Sequence, residues 1–313
     1  MSELFEPISY HGWQADRDAF ADRLGRSFRE TGFAVIRDHP VSAQVIEAAL
    51  VATRDFFALP EAVKQRYDDT AGGGQRGYTP FGQENAKGQA VSDLKEFWHL
   101  GRAAPAGSGL ETVMRETPSV REVEGFDTAT RALFDALDMM GQSLLQAVAR
   151  HLGLCDNWFD DKVRSGNSIL RLLHYPPQTT PPPEGTIRAG AHEDINVITL
   201  LLGAEEAGLQ VRHRSGRWLD INPPPGALVL NVGDMLDRLT GGILPSTTHR
   251  VLNPQPARAR FPRYSMPFFL HFAPDVLIET LPECLAEGAA ARPAITAQEY
   301  LMERLREIGL VRA

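Results

Sequence analysis

The sequence has few cysteines, no excess of basic residues and no long apolar run. Its two cysteines, Cys155 and Cys284, lie far apart and form no Cys-x-x-Cys pair, which argues against a disulfide framework and a sulfur-ligated zinc site. The net charge of −8 argues against general affinity for nucleic acid or anionic membranes. No apolar stretch approaches the roughly 20 residues that span a bilayer, and the N-terminal MSELFEPISYHG does not resemble a signal peptide. We therefore expect a cytoplasmic protein without nucleic-acid or membrane partners, of unspecified oligomeric state.

The first half of the chain has the apolar spacing of amphipathic helices. Apolar residues recur every four positions between residues 18 and 30, and Gly32 is the expected C-cap before a strand, FAVIRDH. Ser42 is the expected N-cap of a second helix that ends before Pro60, and a long helical pattern after Asp127 predicts the spine of the fold. Between these helices, GGGQRGYTPFGQENAKG predicts a long loop. The run Gly72–Gly74 has neither the lysine nor the preceding strand of a phosphate-binding loop.

From about Ser168 the pattern changes to short segments rich in Leu, β-branched and aromatic residues, separated by turn formers. RSGR at 214–217 predicts a hairpin turn, and Thr296 the cap of a C-terminal helix. The fold class is therefore α+β, mainly β with flanking helices, and the strands predict a barrel or jelly roll. We expect one structural unit. Its parts are an N-terminal region (1–120), a long helix and connection (121–165), the catalytic β unit (166–280) and a C-terminal helix (281–313).

Residues 191–200, AHEDINVITL, place ionisable side chains at the mouth of an apolar strand. Burying a charge is costly unless it is paired or bound to metal. His192 and Asp194 are two residues apart, so on a strand they share a face and Glu193 points away. An imidazole and a carboxylate are two of the three ligands of the triad found in non-haem Fe(II) oxygenases. The alternative is a core histidine at 192 and a turn cap at 194.

The candidate third ligand is His249 in STTHRVLNP, 55 residues after Asp194, which is far enough for intervening strands to return to the same end of a barrel. Of the remaining histidines, three lie in strand patterns without a second ligand nearby and four lie in the helical half or its loops, and we expect all seven to be structural or exposed. They are His11, His39, His99, His151, His174, His213 and His271.

Arg263 and Ser265, in PRYSMPFFL, also share one face of a predicted strand. A guanidinium grips a carboxylate with two hydrogen bonds, and a neighbouring hydroxyl can add a third. An inward-facing arginine on an apolar strand would therefore bind an anion. The alternative is an outward-facing arginine paired with a surface acid.

These motifs together resemble the isopenicillin N synthase-like Fe(II)/2-oxoglutarate-dependent dioxygenases, over nearly the whole chain. The similar segments are GFAVIRDHPV, FFALPEAVKQRY, GYTPFGQENAKG, DLKEFWHLG, LRLLHYPP, AHEDINVITLLL, GALVLNVGDML, STTHRVLNP and RYSMPFFL, in the family's order. The resemblance implies a catalytic double-stranded β-helix in which His192, Asp194 and His249 bind Fe(II). It also implies that Arg263 and Ser265 hold the distal carboxylate of 2-oxoglutarate.

Tyr175, in LLHYPP, matches a family tyrosine that hydrogen-bonds the co-substrate. Leu173 departs from the pattern, because many relatives have asparagine there. The segment between His249 and Arg263 is longer than usual, so Arg258 and Arg260 compete as candidates for the anchoring role. We favour Arg263 because its R-x-S frame and the following MPFFL both match the family.

The resemblance predicts an enzyme that uses Fe(II), 2-oxoglutarate and O₂ to hydroxylate, desaturate or cyclise a small molecule, with release of succinate and CO₂. Three alternatives remain open at this point. One is an isopenicillin N synthase-type oxidase that does not use 2-oxoglutarate, the second is a non-catalytic receptor, and the third is a zinc hydrolase, although no H-E-x-x-H motif is present. Candidate residues for lining the substrate site are Tyr78, Phe81, Phe97, Trp98 and Phe269, although for each of them a place in the core is favoured over a substrate contact.

Overall fold

A computed structural model describes residues 3–69, 74–83, 94–178, 187–202, 208–285 and 292–307. The helices are α1 (His11–Ala15), α2 (Arg17–Thr31), α3 (Ala43–Phe57), α4 (Glu61–Lys64), α5 (Phe126–His151), α6 (Asp160–Val163), α7 (Asp234–Leu239), α8 (Pro256–Ala259) and α9 (Ala297–Glu307). The strands are β1 (Ile8–Ser9), β2 (Phe33–Arg37), β3 (Gly77–Thr79), β4 (Glu96–Gly101), β5 (Ile169–Tyr175), β6 (Ala189–His192), β7 (Ile198–Leu202), β8 (Leu209–Arg212), β9 (Trp218–Asp220), β10 (Leu228–Val232), β11 (His249–Val251), β12 (Arg263–Leu270), β13 (Leu277–Ile278) and β14 (Ile295–Thr296).

Local capping signals set the ends of the N-terminal helices. The side chain of Asp16 accepts a hydrogen bond from the first turn of α2, and Gly32 ends that helix with a positive φ of 72°. Ser42 caps α3 by accepting from the backbone of Gln44 at 3.2 Å. At the C-terminal end, Thr296 and Glu299 form a reciprocal capping box on α9. The predicted caps at residues 32, 42 and 296 are confirmed.

The long helix α5 is the spine of the fold, as predicted. Its buried face includes Phe134, whose ring meets that of Phe268 on β12 edge to face at 5.0 Å. Gly141 permits the close approach, because a Cβ there would stand 2.5 Å from a methyl carbon of Leu270. The helix begins at Phe126 rather than after Asp127. Asp127 instead accepts hydrogen bonds from the preceding segment, at Ser119 and Val120.

Strands β1 to β12 form a large and a small sheet, and β13 pairs with β14 in a third, two-stranded sheet. The eight-stranded sheet has the order β1-β2-β10-β7-β12-β5-β4-β3, and the four-stranded sheet has the order β6-β11-β8-β9. The hairpin turn at 214–217 is confirmed by a 2.8 Å hydrogen bond from the backbone N–H of His213 to the carbonyl of Arg217. Among the described helices, none has both the length and the apolar character required to cross a bilayer.

The predicted loop over residues 72–88 is only partly a loop. Within the predicted loop between α4 and α5, the structure contains the strand β3, which pairs with β4. Residues 72, 73 and 84–88 of that loop lie outside the described residues. The predicted fold class, mainly β with flanking helices, is confirmed, and inward-facing residues of both sheets surround one cavity.

Candidate active site

Three side chains from two adjacent segments converge at the mouth of this cavity. His192 ends β6, and its Cα pairs with that of His249 on β11. Nε2 of His192 lies 3.8 Å from Oδ1 of Asp194, and Nε2 of His249 lies 3.9 Å from the same oxygen. The three candidate ligand atoms lie within 4.8 Å of one another, which is compatible with ligands on one face of a single metal ion. The three residues that the sequence predicted as metal ligands thus lie together in the structure.

Each imidazole is oriented by a backbone carbonyl on its other nitrogen. Nδ1 of His192 donates to the carbonyl of Gly190 at 2.7 Å, and Nδ1 of His249 donates to that of Thr247 at 3.1 Å. A histidine that donates from Nδ1 keeps a lone pair on Nε2, the form that binds metal. Both Nε2 atoms therefore face the shared carboxylate oxygen in a ligating form.

Asp194 lies beyond the end of β6, so strand alternation does not by itself explain its direction. Its Oδ2 accepts hydrogen bonds from the Thr199 hydroxyl at 2.6 Å and from the Asn231 amide at 2.8 Å. These two donors turn Oδ1 toward the histidines. Glu193 points away, as predicted, and accepts a hydrogen bond from Thr248 at 2.8 Å.

Electrostatics favour neutral imidazole and ionised carboxylate at this site. Although 36% of the His192 side chain is exposed, the surrounding protein and the nearby imidazole of His249 lower the pKa of His192 to about 4. Burial opposes ionisation of Asp194, but the two histidines and the hydrogen bonds from Thr199 and Asn231 outweigh it and lower its pKa. The donor set therefore has the protonation that a divalent metal requires.

Arg263 and Ser265 both face the cavity from β12 and are buried. Tyr175 pairs with Arg263 across the ladder of β5 and β12, and the guanidinium carbon of Arg263 lies 5.1 Å from the centre of its ring. A second buried arginine, Arg188, stands 5.7 Å from the same ring. The tyrosine therefore lies within cation–π distance of two guanidinium groups.

The two other arginines considered for anchoring the co-substrate lie away from the cavity. Arg258 lies on α8 and Arg260 directly follows it; both are exposed, and each packs on the ring of Phe261. Neither lines the cavity. Leu173, at the position where relatives have asparagine, contributes an apolar side chain to the cavity wall.

The cavity has a volume of about 640 Å³, including its opening to solvent. Its lining residues are Phe33, Lys95, Arg171, Leu173, Tyr175, Ala189, His192, Asp194, Thr199, Leu201, Leu209, Asn231, His249, Val251, Arg263, Ser265, Pro267 and Phe269. Of the aromatic candidates, Phe269 lines the cavity. Phe97 packs with Leu173 and Tyr175 beside it.

The other aromatic candidates do not reach the cavity. Tyr78 and Trp98 belong to the main core, and Phe81 is half exposed. The predicted structural histidines also lie outside the cavity lining; His174, for example, binds Glu96 at 2.7 Å and stacks on Tyr264.

Sequence reasoning missed several lining residues. Arg171 carried a usable signal, because it lies two and four residues before Leu173 and Tyr175 and must share their face of β5. Lys95 and Phe33 gave no comparable signal, since their place depends on how distant strands join the sheet.

Comparisons with known proteins assign both halves of the chain to one group. Residues 166–272 match the 2OG-Fe(II) oxygenase superfamily. Residues 6–120 match the family described as non-haem dioxygenase in morphine synthesis N-terminal. Among curated proteins, a "2-oxoglutarate-Fe(II) type oxidoreductase" of Aspergillus fumigatus is 30% identical over 88% of this chain and 83% of its own length. A 2-oxoglutarate-dependent dioxygenase, frbA, of a Dothideomycetidae species is 32% identical over 94% and 93%.

Solved structures similar to this chain include a member of the same family. A Caulobacter crescentus protein assigned to the 2OG-Fe(II) oxygenase family is 49% identical, with a TM-score of 0.90 over 97% of this chain and 99% of that one. A Neurospora crassa protein, crystallised at full length in complex with alpha-KG and thymine, is 27% identical, with a TM-score of 0.86 over 98% of each chain.

Proposed function

The chain belongs to the 2OG-Fe(II) oxygenase superfamily, and on that premise we propose that His192, Asp194 and His249 bind its Fe(II) while Arg263, Ser265 and Tyr175 hold 2-oxoglutarate. The enzyme is a 2-oxoglutarate-dependent dioxygenase that acts on a small molecule. The observation that carries the residue assignment is the convergence of both Nε2 atoms on Oδ1 of Asp194, at 3.8 and 3.9 Å.

Fe(II) bound at this site would supply, with 2-oxoglutarate and O₂, the oxidising chemistry, and the co-substrate would leave as succinate and CO₂. His192, Asp194 and His249 would hold the metal from one side of the cavity, which would leave room beside it for small molecules. Arg263 and Ser265, on neighbouring inward positions of β12, fix the distal carboxylate of the co-substrate. The largely apolar wall around them limits water near the reacting atoms.

The oxidase, receptor and zinc-hydrolase alternatives have less support than a 2-oxoglutarate-dependent dioxygenase. The relatives named above are 2-oxoglutarate-dependent by name, which favours that co-substrate over an oxidase that does without it. A receptor would not need a complete ligand triad, and a zinc hydrolase would need a general base beside the metal. We further propose a reducing, cytoplasmic setting, which the free thiols of Cys155 and Cys284 support.

Arg263→Gln tests the co-substrate assignment. Removing one partner of a buried charge pair costs about 2–5 kcal/mol, so the KM for 2-oxoglutarate should rise by about two orders of magnitude, measured as succinate formed. Arg258→Gln and Arg260→Gln are matched controls on the exposed segment and should leave KM unchanged. His192→Ala, which removes a proposed ligand, is the blank. An Arg263→Gln enzyme with the wild-type KM would refute the assignment.

A further inference from the structure

The short helix α7 contacts both segments that carry the proposed metal ligands. The backbone N–H of Asp234, its first residue, donates to the carbonyl of Asp194 at 2.7 Å. Oδ2 of Asp237 accepts a hydrogen bond at 3.1 Å from the backbone N–H of Ser246, three residues before His249. A shift of α7 would therefore move the two segments relative to each other.

Residues 292–307, in the C-terminal part of the chain, also contact α7. Nη2 of Arg304, on α9, lies 3.1 Å from Oδ2 of Asp234. Nη1 of Arg292 lies 3.3 Å from Oδ1 of Asp237. Both acidic residues of α7 are thus paired with an arginine from a stretch that supplies none of the cavity-lining residues that the structure describes.

The two ion pairs differ in burial. The side chain of Asp234 is 6% exposed and that of Arg304 is 23% exposed, whereas those of Asp237 and Arg292 are 20% and 50% exposed. An exposed ion pair contributes little to stability, because water screens it. A buried carboxylate that loses its partner is left as an uncompensated charge, which is strongly unfavourable. The pair of Arg304 with Asp234 is therefore the one whose loss would displace α7.

The structure holds the guanidinium of Arg304 in place for this contact. Its Nη1 lies 2.8 Å from Oε2 of Glu307 on the same helix, so the group bridges two carboxylates. Leu301 and Leu305 of α9 are buried in the main hydrophobic core. The packed helix therefore presents a rigid guanidinium fork to Asp234.

We propose that Arg304 is a positioning residue of the metal site, which holds Asp194 in place through Asp234 and α7. This proposal rests on the proposed function, which makes Asp194 a ligand of Fe(II). The hydrogen bonds described above orient the carboxylate of Asp194, whereas Arg304 fixes the backbone from which that carboxylate extends. The C-terminal helix thus contributes to metal binding from outside the cavity.

The test is a double-mutant cycle in which the Fe(II) affinity of the folded protein is measured by anaerobic chelator competition. Arg304→Gln should weaken Fe(II) binding roughly 3- to 10-fold, less than the loss expected for a group that hydrogen-bonds a ligand directly, because Arg304 acts through another residue. In the Asp234→Asn background the same substitution should have little effect, because the partner charge is gone. Arg306→Gln, at an exposed position of α9, is the control and should leave the affinity unchanged.

Leu305→Ala separates positioning of the metal site from general support of the fold. It removes a buried side chain of α9 but leaves the ion pair in place, so it should lower Tm without changing the Fe(II) affinity. An equal loss of affinity in Leu305→Ala and Arg304→Gln would overturn the proposal. Wild-type affinity in Arg304→Gln, or an equal loss with and without Asp234→Asn, would also overturn it.

If Arg304→Gln does not fold, Arg304→Lys takes its place in the cycle. Lysine keeps the charge but not the two-pronged geometry, so a smaller loss of Fe(II) affinity is expected, and an unchanged affinity would overturn the proposal. A wild-type protein that binds no Fe(II), or a His192→Ala variant that binds it equally well, would instead refute the proposed ligands and remove the premise.

Discussion

At the scale of single residues, Asp194 shows how its neighbours set the geometry of a proposed metal ligand. One carboxylate oxygen is occupied by Thr199 and Asn231, and the other faces the two imidazoles. A carboxylate held in this way offers one oxygen to a metal rather than two. The polar residues at 199 and 231 stand in otherwise apolar strands, where each would be costly to bury without this partner.

Thr199→Val should weaken metal binding while preserving the fold. Valine has nearly the same shape but cannot donate to Oδ2, and loss of such a supporting hydrogen bond typically lowers metal affinity about 10- to 100-fold. The measurement is Fe(II) affinity by chelator competition under anaerobic conditions. Thr199→Ser, which keeps the hydroxyl, is the control and should stay near the wild type. A valine variant with unchanged affinity would show that Asn231 alone orients the carboxylate.

At the scale of elements, the turn at Gly32 links the N-terminal helices to the site. It connects α2 to β2 with a φ of 72°, a backbone conformation that favours glycine. A Cβ at this position would stand 2.5 Å from the carbonyl oxygen of Pro245 and 2.4 Å from the hydroxyl of Thr247. The carbonyl of Thr247 also accepts the hydrogen bond that orients His249, so the turn packs directly against the segment that carries this proposed ligand.

Gly32→Ala should therefore reduce both stability and metal affinity. The positive φ and the two contacts together should lower the free energy of unfolding by about 2–4 kcal/mol, measured by denaturant unfolding. Gly153→Ala is the matched control, because Gly153 follows α5 with a φ of 76° and nothing within 4 Å of its Cβ position. Gly153→Ala should lower the free energy of unfolding by about 1 kcal/mol and leave Fe(II) affinity unchanged. Equal effects in both variants would show that the contact between Gly32 and the His249 segment contributes to neither stability nor Fe(II) affinity.

The elements also show what could be predicted from the sequence. Helix ends at Ser42, Gly32 and Thr296 depend on side chains within a few residues, so local patterns suffice. The triad could be predicted because its residue types are restrictive and the family motifs occur in order. The strand β3 and the lining residue Lys95 could not, because they owe their place to pairing between segments far apart in the chain. Arg171 was within reach, since the alternation used for Arg263 and Ser265 applies equally to β5.

At the scale of the whole molecule, burial of a neutral histidine makes stability depend on pH. His271 directly follows β12 and is almost fully buried. Burial lowers its pKa to about 4, and the Arg76 guanidinium acts in the same direction. The unfolded chain would protonate it near pH 6.5. Its contribution to stability is therefore complete above about pH 6.5 and is lost as the pH falls toward 4.

His271→Leu should flatten the acid side of the stability profile. Between pH 7 and pH 5 the wild type should lose about 2 kcal/mol through this residue, and the leucine variant should lack that part of the loss. Urea unfolding at the two pH values measures the difference. His11→Leu, at an exposed site, should behave like the wild type. If His271→Leu shows the same acid loss as the wild type, another group is responsible.

The pairing of His192 with His249 across β6 and β11 has a consequence for biosynthesis. While the ribosome is still adding residues before 249, the nascent chain holds only two of the three proposed ligands and lacks the β6–β11 pairing that aligns them. On the proposed assignment, the complete set of ligands can form only after residue 249 has been added. Premature termination within that stretch would yield fragments unable to form the oxidising centre.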